Sequence, residues 1–404
     1  MRPSRAFPAA ALVAVLVAPA GIVAPAASVA PAASVVPTTA AVAGCAGGRA
    51  CQTRLPAPIT IEAGRLSYRI ARDGRITRIH RPRSAFPPGV SWFPASGTWF
   101  AFRNRHLVVG LGNRTLWRSH AALARKRRRG WQTGFGVVLA SPRMVAFQYR
   151  HRLYLARPPG AEHAVAAREL PIGWAPGGLY TYSYPRRELL LRSAAGRVLA
   201  VIARRPSEYF VHNGTLYFLS RNALIAATGA RRSRLASLPR LRLSSRSTFV
   251  QAAGPLLQLE DNDRLVLLGD DGSTFASTSL SGRHHLPAGI WDSLAVAPGG
   301  AAVAFVAPFR LVDTGPDGRG PQVGAVYLLR RGASAAVALA HATVQFAVCN
   351  GYAAVQWRGA WLLLSSSGGT LTAVDTAGRH RAIDLSAAVR GLRGARNGFS
   401  AAWG

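Results

Sequence analysis

Val296-Ala-Pro-Gly-Gly-Ala-Ala-Val-Ala-Phe-Val306 packs an apolar run, a Pro-Gly-Gly turn and an alternating strand into one short stretch. Trp174-Ala-Pro-Gly-Gly-Leu-Tyr-Thr-Tyr-Ser-Tyr184 repeats that order. Each copy continues through a short break, a strand ending near glycine and a last short strand. The unit is roughly forty residues long, and four strands at that period are the sequence signature of a β-propeller blade. Strands are lettered A to D from the centre outward. The A strands read at 90–94, 136–140, 172–175, 209–212, 248–251, 293–297 and 352–357. The matching B strands read at 99–102, 144–149, 179–184, 215–219, 255–259, 301–306 and 360–364. The A runs are apolar on both faces, as buried inner strands require, whereas the C and D runs alternate more, as half-exposed outer strands do. Gly97, Gly177, Gly214, Gly254, Gly299 and Gly359 lie between A and B, where a tight hairpin needs positive φ.

The two ends of the chain complete each other. Residues 398–404 read as an A strand with nothing after it, and 59–62, 66–71 and 76–80 read as B, C and D with nothing before them. Joining them makes one more blade and removes two open sheet edges. The expected fold is therefore all-β, a single propeller of eight four-stranded blades, closed by pairing of the C-terminal strand with the N-terminal blade. Seven blades is the alternative if the irregular stretch 333–350 or the short blade near 209–238 is miscounted.

The Ala-Pro-Gly-Gly units, each followed by a Val/Phe-rich strand, and the strand Val326-Tyr-Leu-Leu329 resemble the TolB-type, WD40-like propeller repeats of bacterial exported proteins. The resemblance covers most of 58–404 and implies the propeller fold, with no separate N-terminal domain like that of TolB.

The N-terminus fits an exported protein. Arg2 and Arg5 precede an apolar run at 9–17 and small residues, the pattern of a secretory signal. Residues 1–26 read as signal peptide, 27–56 as an Ala/Pro-rich low-complexity linker and 57–404 as the propeller. Pro19, Pro25, Pro31 and Pro37 would break a spanning helix. A secreted or cell-envelope location follows. Val42-Ala-Gly-Cys45 resembles a lipoprotein box, which would attach the N-terminus to a membrane through Cys45; a disulfide of Cys45 or Cys51 is the other reading. With Cys349 there are 3 cysteines, and spacing alone does not settle their pairing.

Composition points to anionic partners. The chain has 404 residues, with 50 Lys+Arg against 16 Asp+Glu, a formal charge of +34. Such a surface attracts a polyanion or an acidic protein: a glycan, an envelope polymer or nucleic acid. The distribution matters more than the total. In an antiparallel blade, the B–C hairpins and D–A connectors leave one end of the ring and the A–B and C–D hairpins the other. The B–C tips hold Arg103, Arg105, Arg150, Arg152, Arg186, Arg187 and Arg221, beside His106 and His151. The D–A connectors hold Arg81, Arg83, Arg125, Lys126, Arg127, Arg128, Arg129, Arg204, Arg205, Arg240, Arg242 and Arg246. The A–B turns carry almost none. Arginine's planar fork suits phosphate and carboxylate, and His106, His151, Trp131 and Tyr184 offer rings for stacking.

Catalytic signatures are absent from the sequence: no nucleophile elbow, phosphate loop, zinc-protease helix or zinc-spaced Cys/His cluster. No cofactor is expected. Asp313 and Asp317 carry only part of a calcium-loop pattern, and His284-His285 has no carboxylate at fixed spacing. The primary expectation is a monomeric, non-enzymatic binding or scaffold module. The alternative is a polysaccharide- or peptide-directed hydrolase or lyase at the channel mouth, with Glu260, Asp263 and His285 as its candidates.

Overall fold

The computed structural model describes residues 54–404 apart from 64–65, 80–90, 94–97, 113, 124, 128–129, 133–134, 245–246, 262–263, 280–293, 312–321, 347–352, 367–368, 378–381 and 396–398. Eight four-stranded antiparallel sheets succeed one another. Blades 2 (91–118), 3 (135–167), 4 (169–204), 5 (209–237), 6 (249–279), 7 (295–346) and 8 (353–384) each run A, B, C, D in chain order. Blade 1 takes B, C and D from Ile59–Ala63, Leu66–Ile70 and Ile76–Ile79, and its A strand is Ser400–Trp403. The register runs from Ile59 opposite Trp403 to Glu62 opposite Ser400. The Gly404 N–H adds a hydrogen bond to the Pro58 carbonyl at 2.8 Å. The blade number is eight, and the two ends of the chain share a sheet.

The strands buried on both faces are B and C, as at Met144–Tyr149 and Glu188–Arg192, whereas A strands such as Tyr209–His212 are only half-buried. Successive side chains on a strand point to opposite faces, and each of blades 3 to 8 is sandwiched between two others, so both faces must be apolar. Along Ala302–Leu311, Val303 and Phe305 enter the core shared with blade 6, while Ala304 and Val306 enter the core shared with blade 8. Along Thr215–Ser220, Leu216 and Phe218 serve blade 4, and Tyr217 and Leu219 serve blade 6. Cores of this kind link every consecutive pair from blade 2 to blade 8, and blade 8 to blade 1. The aromatics at strand positions belong to them: Phe305 is buried, and the Trp357 indole N–H donates to the Ala295 carbonyl at 2.9 Å.

One glycine is demanded by packing. A Cβ on Gly110, in the C strand of blade 2, would fall inside the indole of buried Trp99. That indole is fixed in turn, since its N–H donates to the Gly112 carbonyl at 2.9 Å.

Three local readings change. The irregular stretch 333–350 contains the D strand of blade 7, Val337–Phe346, paired with Gln322–Arg330. The B strand of blade 7, read at 301–306, runs on to Leu311 and pairs with Gln322–Arg330. The connector between blades 2 and 3 holds a two-stranded ribbon, Arg125–Arg127 with Gly130–Gln132. Among the described residues helix is confined to Ser386–Arg390 and a single turn at Pro298–Gly300, and none is long and apolar enough to cross a membrane.

Candidate binding face

Each blade is a meander, so its B–C turn and its exit toward the next blade lie at the same end. The backbone distinguishes that end from the other. Among the described residues, fourteen glycines have positive φ, and twelve of them, Gly369 and Gly394 excepted, sit in A–B or C–D turns. Ten non-glycine residues have positive φ, and all but Asn213 sit in B–C turns or D–A connectors. Seven of the ten are arginines: Arg105, Arg150, Arg168, Arg187, Arg205, Arg221 and Arg242. An L side chain in this region costs roughly 1–2 kcal/mol through the clash of Cβ with the following carbonyl, which glycine avoids. One end thus meets its left-handed turn positions almost entirely with glycine, and the other mostly with arginine.

The turns of blades 2 and 3 show how this arises. Arg103 pairs with His106 and Tyr149 with Arg152, leaving two-residue loops. Both loop residues are left-handed, Asn104 and Arg105 (φ 48 and 71) and Arg150 and His151 (φ 47 and 60). That is the geometry of a type I′ hairpin, whose twist matches the flanking strands. In blades 2 to 5 a carbonyl of the B–C turn is then held by the exit of the same blade. Leu123 N–H donates to the Arg105 carbonyl at 2.9 Å, Arg168 to His151, Arg205 to Arg187 at 2.6 Å, and Leu238 to Asn222 at 2.9 Å. The Tyr184 N–H donates to the Arg168 carbonyl at 3.0 Å, which ties blade 3 to blade 4.

The side chains on this lattice are available. All seven left-handed arginines are exposed, and among the described residues none is paired with a carboxylate. The Arg150 guanidinium lies 5.2 Å from the Tyr149 ring centroid, a cation–π contact. Next to Arg186 and Arg187, Tyr184 is 45% exposed, an unusual state for a large ring. Its ring meets that of Tyr182 edge-on at 5.2 Å, and Tyr182 stacks on Tyr209 at 4.9 Å. Burial, and then the neighbouring Tyr182, raises the Tyr184 phenol above its ordinary range, so it stays neutral. Burial also raises Glu208, just before the A strand of blade 5, and lowers His212 at the other end of that strand.

Arg103, Arg105, Arg150, His151, Arg152, Arg186, Arg187 and Arg221 all lie exposed at the B–C tips. His106 is half-buried, with Nδ1 2.7 Å from the Ser119 carbonyl, on a cleft of about 490 Å³ that Trp117 and His120 also line. Arg125, Lys126 and Arg127 belong to the connector ribbon. Arg128, Arg129, Cys45, Cys51, Cys349, Asp263, His284, His285, Asp313 and Asp317 lie outside the described residues. Sequence reading passed over Arg168, since nothing in its type announces a left-handed residue. Exposed arginines also occupy C–D turns, among them Arg72, Arg75 and Arg157. Backbone conformation separates the two ends more sharply than charge does.

Of the enzyme candidates, Glu260 is buried at the end of the B strand of blade 6, and its Oε2 accepts from the Gln258 amide at 2.9 Å. Burial pushes its carboxyl up to about 7, the Gln258 bond opposing and Asp261 adding to the rise. Asp261 accepts from the Ser244 and Arg264 N–H groups, each at 2.8 Å, and so builds the loop. No group of three His, Cys, Asp or Glu suited to a metal ion occurs among the described residues. A buried ion pair stands apart from all of this. Glu169 accepts from Arg192 at 2.6 and 2.8 Å and from the Thr181 hydroxyl at 3.1 Å, beside blade 3, whose Gln148 amide donates to the Glu169 carbonyl.

No family model matches the chain, and no curated protein sequence matches it. Among solved structures it is similar to apo AztD from Citrobacter koseri, at 10% identity over 85% of this chain and 97% of that one, TM-score 0.45. Hsv2p from Kluyveromyces lactis gives 9% identity over 72% and 94%, TM-score 0.42. BamB from Moraxella catarrhalis gives 11% over 74% and 85%, TM-score 0.40. These neighbours are β-propellers, as the eight sheets of this chain independently require.

Proposed function

We propose that this protein is a non-enzymatic, exported binding module of the TolB-like propeller type, which holds an anionic polymer or an acidic protein on its B–C/D–A face. The carrying observation is the backbone asymmetry. Among the described residues, left-handed turn positions are met almost entirely by glycine at one end and mostly by exposed arginine unpaired with carboxylate at the other. Strained residues persist where the surrounding structure holds them, and they concentrate at functional surfaces. Here the strain sits under the side chains best suited to bidentate capture of carboxylate or phosphate.

The test is a salt series of titrations against polygalacturonate and polyphosphate. Affinity is expected to fall linearly on a log–log plot as counterions are released. Reversing Arg105, Arg150, Arg152 and Arg187 to Glu is expected to weaken binding by roughly tenfold or more. Reversing Arg72, Arg75, Arg143 and Arg358 on the other face, an equal change of net charge, is expected to do much less. Equal losses from both sets would mean that the overall charge, and not this face, does the binding.

A further inference from the structure

The geometry points to a ring-bearing ligand: we infer that the arginine face takes an acidic glycan, with Tyr184 as the platform under one sugar ring. This rests on the polyanion reading above and narrows it. Tyr184 is the one large aromatic side chain among the exposed hydrophobics of the described residues. Its exposure is built. The backbone N–H is fixed to the Arg168 carbonyl, and the ring stands at 83° on Tyr182, which lies 25° from parallel on Tyr209. A ring held this way loses little freedom on binding, so contact with a second flat or puckered ring is not offset by ordering.

Charge surrounds it on the same backbone lattice. The Arg168 carbonyl accepts the Tyr184 N–H, Arg187 stands in the same B–C turn, and the Arg205 N–H donates to the Arg187 carbonyl. All three are left-handed and exposed. The arrangement matches a polymer with a carboxylate on or beside each ring: the ring for Tyr184, the acid groups for the guanidinium forks. Single-stranded nucleic acid is the other ring-bearing polyanion, but its sites stack successive bases on successive aromatics. Among the described residues this face exposes one large aromatic ring. The leader pattern at the N-terminus favours the same choice, because acidic glycans are polymers of the cell exterior.

The full chain and the variants Tyr184→Ala and Tyr184→Trp are titrated with polygalacturonate, polyphosphate and oligothymidylate at one low salt concentration, with circular dichroism confirming the strands. Tyr184→Ala is expected to lose roughly tenfold for polygalacturonate and to stay within about twofold for polyphosphate, which has no ring. Tyr184→Trp is expected to keep both. An equal loss on the two polymers, or none on either, overturns the platform while leaving the basic face intact. A larger loss on oligothymidylate than on polygalacturonate overturns the glycan in favour of nucleic acid. Absence of binding to all three by the unaltered protein overturns the polyanion reading itself.

Discussion

The left-handed arginines make a sign prediction that few surface residues offer. Replacing Arg187 with Gly removes the Cβ clash but also frees the unfolded chain, so the two effects partly cancel and leave a gain of up to about 1 kcal/mol. Arg187→Ala keeps the Cβ and should stay within about 0.5 kcal/mol of the native protein. Urea titrations of both variants check this, and a loss of stability in the glycine variant would mean the turn is not strained. Affinity for polyanions should fall in both. Glu260 makes a second prediction. Its folded pKa, raised by burial to about 7, lies above the ordinary 4.5, so its contribution is complete below about 4.5 and is lost as pH rises through 7. The displacement corresponds to about 3 kcal/mol. Glu260→Gln should therefore raise Tm at pH 8 and change it little at pH 4, with thermal melts at the two pH values as the measurement.

At the scale of strands, the ion pair of Glu169 and Arg192 links the start of the A strand of blade 4 to its C strand. Both side chains are buried, so removing Glu169 leaves the Arg192 charge with no carboxylate and only the Gly196 carbonyl to bond. Glu169→Ala should cost about 3–5 kcal/mol, whereas Glu169→Leu with Arg192→Met should recover most of it, as read by denaturant midpoints. The strands themselves were readable in the sequence because Ala-Pro-Gly-Gly turns punctuate runs that are apolar on both faces, and both signals are local. The D strand Val337–Phe346 was not, since its Ala-rich sequence gives no clear strand signal and its register with Gln322–Arg330 is broken by a shift. The ion pair was equally hidden, because its residues lie 23 apart in sequence and meet only once the sheet has formed. The basic loops could be placed from the order of strands alone. Their left-handed backbone could not, because arginine carries no preference for it. Only the two-residue spacing between Arg103 and His106, and between Tyr149 and Arg152, hinted at such turns.

For the molecule as a whole, the shared sheet of blade 1 is a dependence. Ser400–Trp403 supplies its A strand, and buried Phe399 and Ala401 join the core between blades 8 and 1. Deleting 399–404 should uncover Ile59 and Ile61, both fully buried, and lower Tm sharply; adding the deleted segment back as a peptide should restore part of the loss. Differential scanning fluorimetry with and without the peptide decides it. A truncated chain with an unchanged Tm would show that this strand is dispensable to the ring.

The same register has a mechanical consequence. Ile59 opens its strand and Trp403 ends the neighbouring one, and the two stand opposite each other, so both ends leave the sheet at one corner. A pull applied between Pro58 and Gly404 would load the ladder one rung at a time, like a zip fastener, instead of shearing every rung together. An optical trap with handles at those two residues should find a weak first rupture, with the ring opening at this seam before any blade unravels.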